Sequence, residues 1–212
     1  MKSLALLLFA SAAFAQHGEW ERWEIGADVG YGFYHNGTIY SPNETLTAGI
    51  RNRFAAGFTF GEETYNYLSG EFQYLYQDGH PFLEGPGFKT DIQGQSHTLT
   101  YSLLVHFTKR DRRFRPFVEG GIGGKGYIIA GPEPFPQPAP LVATLSDHDV
   151  WKVVFEAGGG FTYRPAHHML LRAEFRDYMT GFPRQQIIPA VHNTARGIFH
   201  QFTPLFGVSY AF

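Results

Sequence analysis

Along most of this chain apolar and polar residues alternate with a period of two, which marks strands whose two faces meet different surroundings. The last segment is the clearest. Ile198, His200, Phe202, Pro204, Phe206, Val208, Tyr210 and Phe212 share one face, and Gln201, Thr203, Leu205, Gly207, Ser209 and Ala211 the other. Seven earlier segments follow the same rule. The first sets Ile25, Ala27, Val29, Tyr31 and Phe33 against Glu24, Gly26, Asp28, Gly30 and Gly32. The second and third carry Phe54, Phe58, Phe60, Phe72, Tyr74 and Tyr76 on one face, with Arg53, Thr59, Ser69, Glu71, Gln73 and Gln77 on the other. The fourth opposes Leu99, Tyr101, Leu103, Val105 and Phe107 to Thr98, Thr100, Ser102 and His106. A Gly-rich fifth, over 115–129, opposes Val118 and Ile122 to Glu119 and Lys125. The sixth and seventh pair Trp151, Val153, Phe155, Phe161, Tyr163, Leu171 and Phe175 against Lys152, Glu156, Thr162, Arg164, Arg172, Glu174 and Arg176.

The connections alternate in length. Those at 35–48, 79–94, 131–149 and 181–197 are long and rich in Pro, Gly, Asn and Asp, while 61–66, 109–114 and 165–167 are short. An even number of strands with this alternation puts every long loop at one end and both termini at the other, as in a barrel of the outer membrane. The faces decide between lipid and water. Bulky aromatics from eight strands would overfill an eight-stranded interior, which holds only a layer of side chains. The ionisable face therefore points inward and the aromatics meet lipid. The expected fold is all-β: an eight-stranded antiparallel up-and-down transmembrane β-barrel, whose closed sheet pairs every backbone group.

The N-terminus says how such a chain reaches a membrane. Lys2, the apolar run from Leu4 to Ala13 and the Ala13-Phe14-Ala15 site read as a cleaved signal peptide over residues 1–15, leaving a barrel domain over 16–212. The apolar run is too short to span a bilayer. The sequence has no Cys, so no disulfide framework is expected despite export. A net charge of −2 without a basic tract gives no reason to expect nucleic acid as a partner.

The alternating strands, the stretch Arg115-Pro116-Phe117-Val118-Glu119-Gly120-Gly121-Ile122-Gly123 and the end Phe206-Gly207-Val208-Ser209-Tyr210-Ala211-Phe212 resemble the small outer-membrane barrels of the OmpA and OmpX type. That resemblance covers residues 16–212. It implies an integral protein of the outer membrane, in contact with its lipid and lipopolysaccharide, that meets periplasmic chaperones and the insertion machinery during biogenesis. It also implies that Phe206, Val208, Tyr210 and Phe212 form the C-terminal insertion signal. No peptidoglycan-binding domain follows the barrel as it does in OmpA, so a wall-anchoring role is not expected.

The inward charges are the main candidate constellation. Glu71, Glu119 and Arg172 are expected at one level of the lumen, and Lys125, Glu156, Glu174 and Arg176 in a second group nearer the outside. Buried charges persist when paired and hydrogen-bonded, so an ion-pair plug is the expected role and a gated pore the lesser alternative. No catalytic, cofactor-binding or metal-binding set is expected. A lipid A-modifying enzyme is the alternative function, but no His-x-Ser pair is present, and Ser96-His97 are adjacent and so point oppositely. Histidines 35, 80, 148 and 192 lie in or beside different long loops and would bind zinc or copper only by converging. His167-His168 is expected to be a solvent-exposed turn, 109–113 a solvated basic turn, and the Pro-rich 131–140 a stiff outer loop. Trp20, Trp23, Tyr65, Tyr67 and Tyr163 are expected in the periplasmic aromatic girdle. The function these features favour is a non-enzymatic integral outer-membrane protein that supports the envelope and carries long loops for surface contacts.

Overall fold

The computed structural model describes residues 21–41, 45–190, 193 and 197–212. The expected signal peptide, Trp20 and His192 lie outside the described residues. Strands numbered in chain order are β1 (Trp23–Tyr34), β2 (Gly37–Tyr40), β3 (Thr45–Ile50), β4 (Arg53–Glu62), β5 (Leu68–Asp78), β6 (Pro81–Gly85) and β7 (Phe88–Asp91). They continue with β8 (Gly94–His106), β9 (Phe114–Ile129), β10 (Ala143–Leu145), β11 (Val150–Ala166), β12 (Met169–Gly181), β13 (Ile187–Pro189) and β14 (Ile198–Ala211).

The eight long strands close into one antiparallel barrel in the order β1-β4-β5-β8-β9-β11-β12-β14, with β14 returning to β1. Following paired residues round from His200 leads through Met179, Phe155, Ile122, Tyr101, Phe72, Phe60 and Ile25 to Tyr210, a shift of ten positions on the same strand. A stagger of that size tilts the strands roughly 35–45° from the axis and leaves an interior that side chains can fill.

Alternation sets the two faces as the sequence analysis expected. Ile25, Phe58, Phe72, Tyr101, Ile122, Phe155, Phe175 and Phe206 are exposed on the outside, while Glu71, Gln73, Thr98, Thr100, Ser102, Glu119, Glu156 and Thr203 are buried inside. Tyr65, Tyr67 and Tyr163 lie exposed at the end that carries the short turns. Trp23 stacks on Phe60 there, with ring centroids 5.3 Å apart. Near the opposite rim two histidines face outward with polar partners. His200 Nδ1 lies 2.7 Å from Asp177, and His97 Nδ1 lies 2.7 Å from the Tyr74 hydroxyl.

The long connections are not plain loops. They carry six short strands: β2-β3-β6-β7 form one small sheet and β10-β13 another, and both sit at the end opposite the described start and finish of the barrel. Ile39, Leu46, Ala48, Ile50, Leu83, Ile92, Val142, Leu145, Phe182 and Ile187 pack beneath these sheets against Tyr34, Tyr127 and Phe199 of the barrel rim. The apolar core therefore lies in a cap over the mouth, and the barrel itself is filled with polar groups. Arg51 ties the cap to its base, 3.9 Å over the Phe82 ring and 3.3 Å from Glu84. On the 131–149 connection the Asp147 backbone N–H donates to Glu133, at 3.2 Å, and holds that carboxyl below its usual range.

Phe155 is 56% exposed in the absence of lipid and pairs with Ile122, midway along β9. Phe155→Arg places a charge against mid-membrane hydrocarbon and is expected to cost about 2–4 kcal/mol of folding free energy. Equilibrium refolding into lipid vesicles checks this, and a silent substitution would overturn the orientation of the faces.

Candidate functional site: the barrel lumen

Strand polarity and register bring six of the predicted charges to one place. Arg176, on β12, is fully buried and reaches four carboxylates supplied by four strands. Its Nη2 lies 2.6 Å from Glu71 and 3.1 Å from Glu119, its Nη1 3.0 Å from Glu156, and its Nε 2.8 Å from Glu174. Arg172, two inward positions below, pairs with Glu71 and Glu174 and stands 3.9 Å from Glu119. Each guanidinium offers five donors in a fixed fork, so two of them can serve several carboxylates at once. Ser102 donates to Glu156, and Gln73 Nε2 lies 3.4 Å from Glu174. The guanidinium of Arg172 also lies 4.9 Å from the centroid of the Phe117 ring.

The expected division into two levels does not hold, because Arg176 and Arg172 both span it. Lys125 does not join this cluster. It is fully buried above it, with its Nζ 3.4 Å from the Tyr34 hydroxyl and 5.1 Å from the ring centroids of Tyr34 and Tyr127. The stagger of the strands separates them: Lys125 pairs across to Thr98 and Lys152, nearer the cap than the pairing of Glu156 with Gly121. Between Lys125 and the ion cluster lie Ala55, Leu75, Val154, Tyr178 and Leu205, a small apolar layer inside the lumen.

Glycine makes room for this arrangement. A Cβ on Gly158 would sit 2.7 Å from the Phe175 carbonyl oxygen and 2.9 Å from Glu119 Oε1, so only glycine lets β11 approach β12 with the Glu119 carboxylate in place.

Below the cluster, a cavity of about 20 Å³ is lined by Glu24, Glu63, Ser69, Glu71, His106, Arg115, Thr162 and Arg172. Here Ser69 and His106 form a buried hydrogen bond, Oγ to Nε2 at 2.8 Å. No sequence spacing announces this pair, since it is made across β5 and β8 where Leu68 meets Val105. His106 Nδ1 has no hydrogen-bond partner among the described residues, and its ring lies against Phe117 with centroids 5.8 Å apart. The cavity has about the room of one or two water molecules. Glu63 pairs with Arg115 and lies 3.6 Å from Arg110, which closes the floor of the lumen. Arg110 is thus partly buried, and the turn at 109–113 is not wholly solvated as expected.

The remaining candidates are dispersed. His80 lies 3.4 Å from Asp78 and 3.5 Å from Asp91, whereas His148 lies 2.6 Å from Ser146 on another connection. Among the described residues no group of three metal-ligating side chains holds two of the loop histidines. Phe206, Val208 and Tyr210 are exposed on the outer face of β14, and the Phe212 backbone exchanges two hydrogen bonds with Trp23 across the closing seam, at 2.8 and 2.9 Å.

Comparison with known proteins agrees with this architecture. The family model described as an outer membrane protein β-barrel domain matches residues 3–212. No curated protein sequence matches the chain. Among solved structures, Neisserial surface protein A is similar with a TM-score of 0.55 and 12% identity, over 90% of this chain and 97% of that one. OprG of Pseudomonas aeruginosa gives 0.52 and 14%, over 91% and 97%. The N-terminal barrel domain of Pseudomonas aeruginosa OprF gives 0.50 and 12%, over 92% and 100%. At these identities the likeness is one of fold.

Arg176→Met is expected to destabilise the barrel by about 3–5 kcal/mol, because it leaves buried carboxylates without their donor. Lys125→Met removes a buried cation that is held by aromatic rings and one hydroxyl, and is expected to leave stability unchanged or raised. Urea titrations in lipid vesicles compare the two. Equal losses would contradict the separation of Lys125 from the cluster.

Proposed function

The chain belongs to the outer membrane protein β-barrel domain family, and from that premise we propose that it is a closed, non-catalytic barrel that supports the outer membrane and carries a folded platform for contacts at the cell surface. The observation that supports this reading best is the filling of the lumen at successive levels. The Arg176 cluster occupies the middle, an apolar layer and Lys125 lie above it, and the cap core covers the mouth. A conducting path would have to break several buried ion pairs and unpack the cap together. The cavity at the periplasmic end holds water at most, and the Ser69–His106 pair beside it has no space for an acyl chain.

In this reading residues 1–15 direct export, and Phe206, Val208, Tyr210 and Phe212 are read by the insertion machinery. The outward aromatics stand in lipid and lipopolysaccharide. The platform is the cap, whose outer surface shows Phe135 at 99% exposure, with Leu141 and Tyr40 also exposed. Apolar side chains held out on a rigid scaffold favour contact with another surface over a purely solvated role.

Purified protein in planar bilayers is expected to give no discrete conductance, and lipid A from cells with and without the protein is expected to be identical by mass spectrometry. A steady single-channel level would replace this reading with a pore. A lipid A species that gains or loses an acyl chain would replace it with an enzyme.

A further inference from the structure

At the periplasmic rim, outside the membrane-spanning strands, three ligating groups meet across two separate parts of the chain. Glu21 precedes β1, and His167 and His168 form the turn between β11 and β12. Glu21 Oε1 lies 2.8 Å from His167 Nδ1 and 2.7 Å from His168 Nδ1, and the three atoms lie within 4.8 Å of one another. The Glu21 side chain is only 9% exposed, and its Oε1 accepts no hydrogen bond of sound geometry from any described residue. A buried carboxylate oxygen thus has two imidazole nitrogens beside it and is hydrogen-bonded to neither. His168 Nδ1 instead donates to the Ala211 backbone carbonyl oxygen at 3.0 Å, so a cation bound by all three groups displaces that proton and supplies the partner that the Glu21 oxygen lacks.

The surroundings hold the three groups in place. Arg164 Nη1 binds the other Glu21 oxygen at 2.6 Å and the His167 carbonyl oxygen at 2.9 Å. The His168 ring stacks on Tyr210 of β14, with centroids 5.3 Å apart and planes 19° apart. The carboxylate is therefore oriented from behind by a guanidinium, and one imidazole is fixed by an aromatic face, the kind of outer support that metal ligands receive.

We propose that Glu21, His167 and His168 form a binding site for a late first-row divalent cation, Zn²⁺ foremost. Two imidazoles and one carboxylate are a donor set such ions favour over Mg²⁺ or Ca²⁺, which take all-oxygen shells. Bonds of about 2.0–2.1 Å in tetrahedral array place ligand atoms about 3.3 Å apart, so the two short separations open by about half an ångström on binding. Three protein ligands leave the fourth position to water or an external ligand. The bound ion joins the lead into β1, the β11–β12 turn and, through Tyr210, the last strand, and so clips the seam at which the barrel closes. The second cluster of ligating groups, Glu133, Asp147 and His148, is exposed at all three residues and so offers no buried carboxylate oxygen in want of a partner. It serves as the control.

The test is calorimetric titration of Zn²⁺ into untagged, chelator-stripped protein folded in detergent. Cu²⁺ as a second probe is read by electron paramagnetic resonance. One equivalent is expected, with superhyperfine coupling to two nitrogens. The double substitution His167→Ala with His168→Ala is expected to abolish that equivalent, and Glu21→Gln to weaken it by about tenfold or more. His148→Ala is expected to leave it intact. Heat-dependent gel migration establishes that each variant is folded. If the double variant does not fold, Glu21→Gln, which lies ahead of the first strand, carries the decision. Absence of binding by the unaltered protein would overturn the proposal, as would equal binding by the unaltered protein and a folded Glu21→Gln or double variant.

Discussion

Hydrocarbon offers no partner to a peptide group, so a sheet that crosses it has to close on itself, and that closure governs nearly everything else in this molecule. With eight strands and a stagger of ten positions the ring closes, and the lumen is too narrow for aromatic side chains from every strand. Phenylalanine and tyrosine go outward because lipid receives them, and the polar residues go inward. Charges confined in so small a space must then satisfy one another. Arg176 and Arg172 do so by sharing four carboxylates drawn from β5, β9, β11 and β12. Because Glu71 lies on one side of the barrel and Glu174 on another, the cluster is also a brace across the lumen.

The usual order of a folded domain is thereby inverted. The interior of the barrel is polar, its surface is apolar, and the largest apolar core is displaced into the cap. The cap rests on Tyr34, Tyr127 and Phe199, which belong to barrel strands, so the two parts share a boundary. Lys125 lies at that boundary, beneath the cap and above the Tyr178 layer, with tyrosine rings around its ammonium. Its charge is accommodated by aromatic faces, a weaker arrangement than the ion pairs below.

How much of this the sequence disclosed follows from which interactions are local. Alternation is a property of consecutive residues, so the eight barrel strands and the direction of Glu71, Glu119, Glu156, Arg172, Glu174 and Arg176 were legible from it. Levels within the lumen depend on register between strands, and register is not written in any one strand. For that reason alternation alone groups Lys125 with Glu156, although one lies with the tyrosines and the other with Arg176. The cap strands were invisible for a related reason. Gly37–Tyr40 and Ile187–Pro189 are too short to alternate detectably, and Ile39, Leu83, Leu145 and Ile187 acquire a common core only when four connections meet. His167-His168 read as an exposed turn because nothing in the turn itself reveals that Glu21 crosses beside it.

A lumen filled and braced by one ion cluster is the center of this account, and it makes a direct statement about water. The measurement that reaches it is the exchange of the Arg176 Nε–H proton with solvent, followed by nuclear magnetic resonance of the ¹⁵N-arginine-labelled protein in lipid nanodiscs. A hydrogen bond to Glu174 inside a dry lumen predicts a resolved Arg176 signal that exchanges slowly. An Arg176 signal that exchanges as fast as that of a free arginine would mean that water fills the barrel, and the account of a closed interior would be wrong.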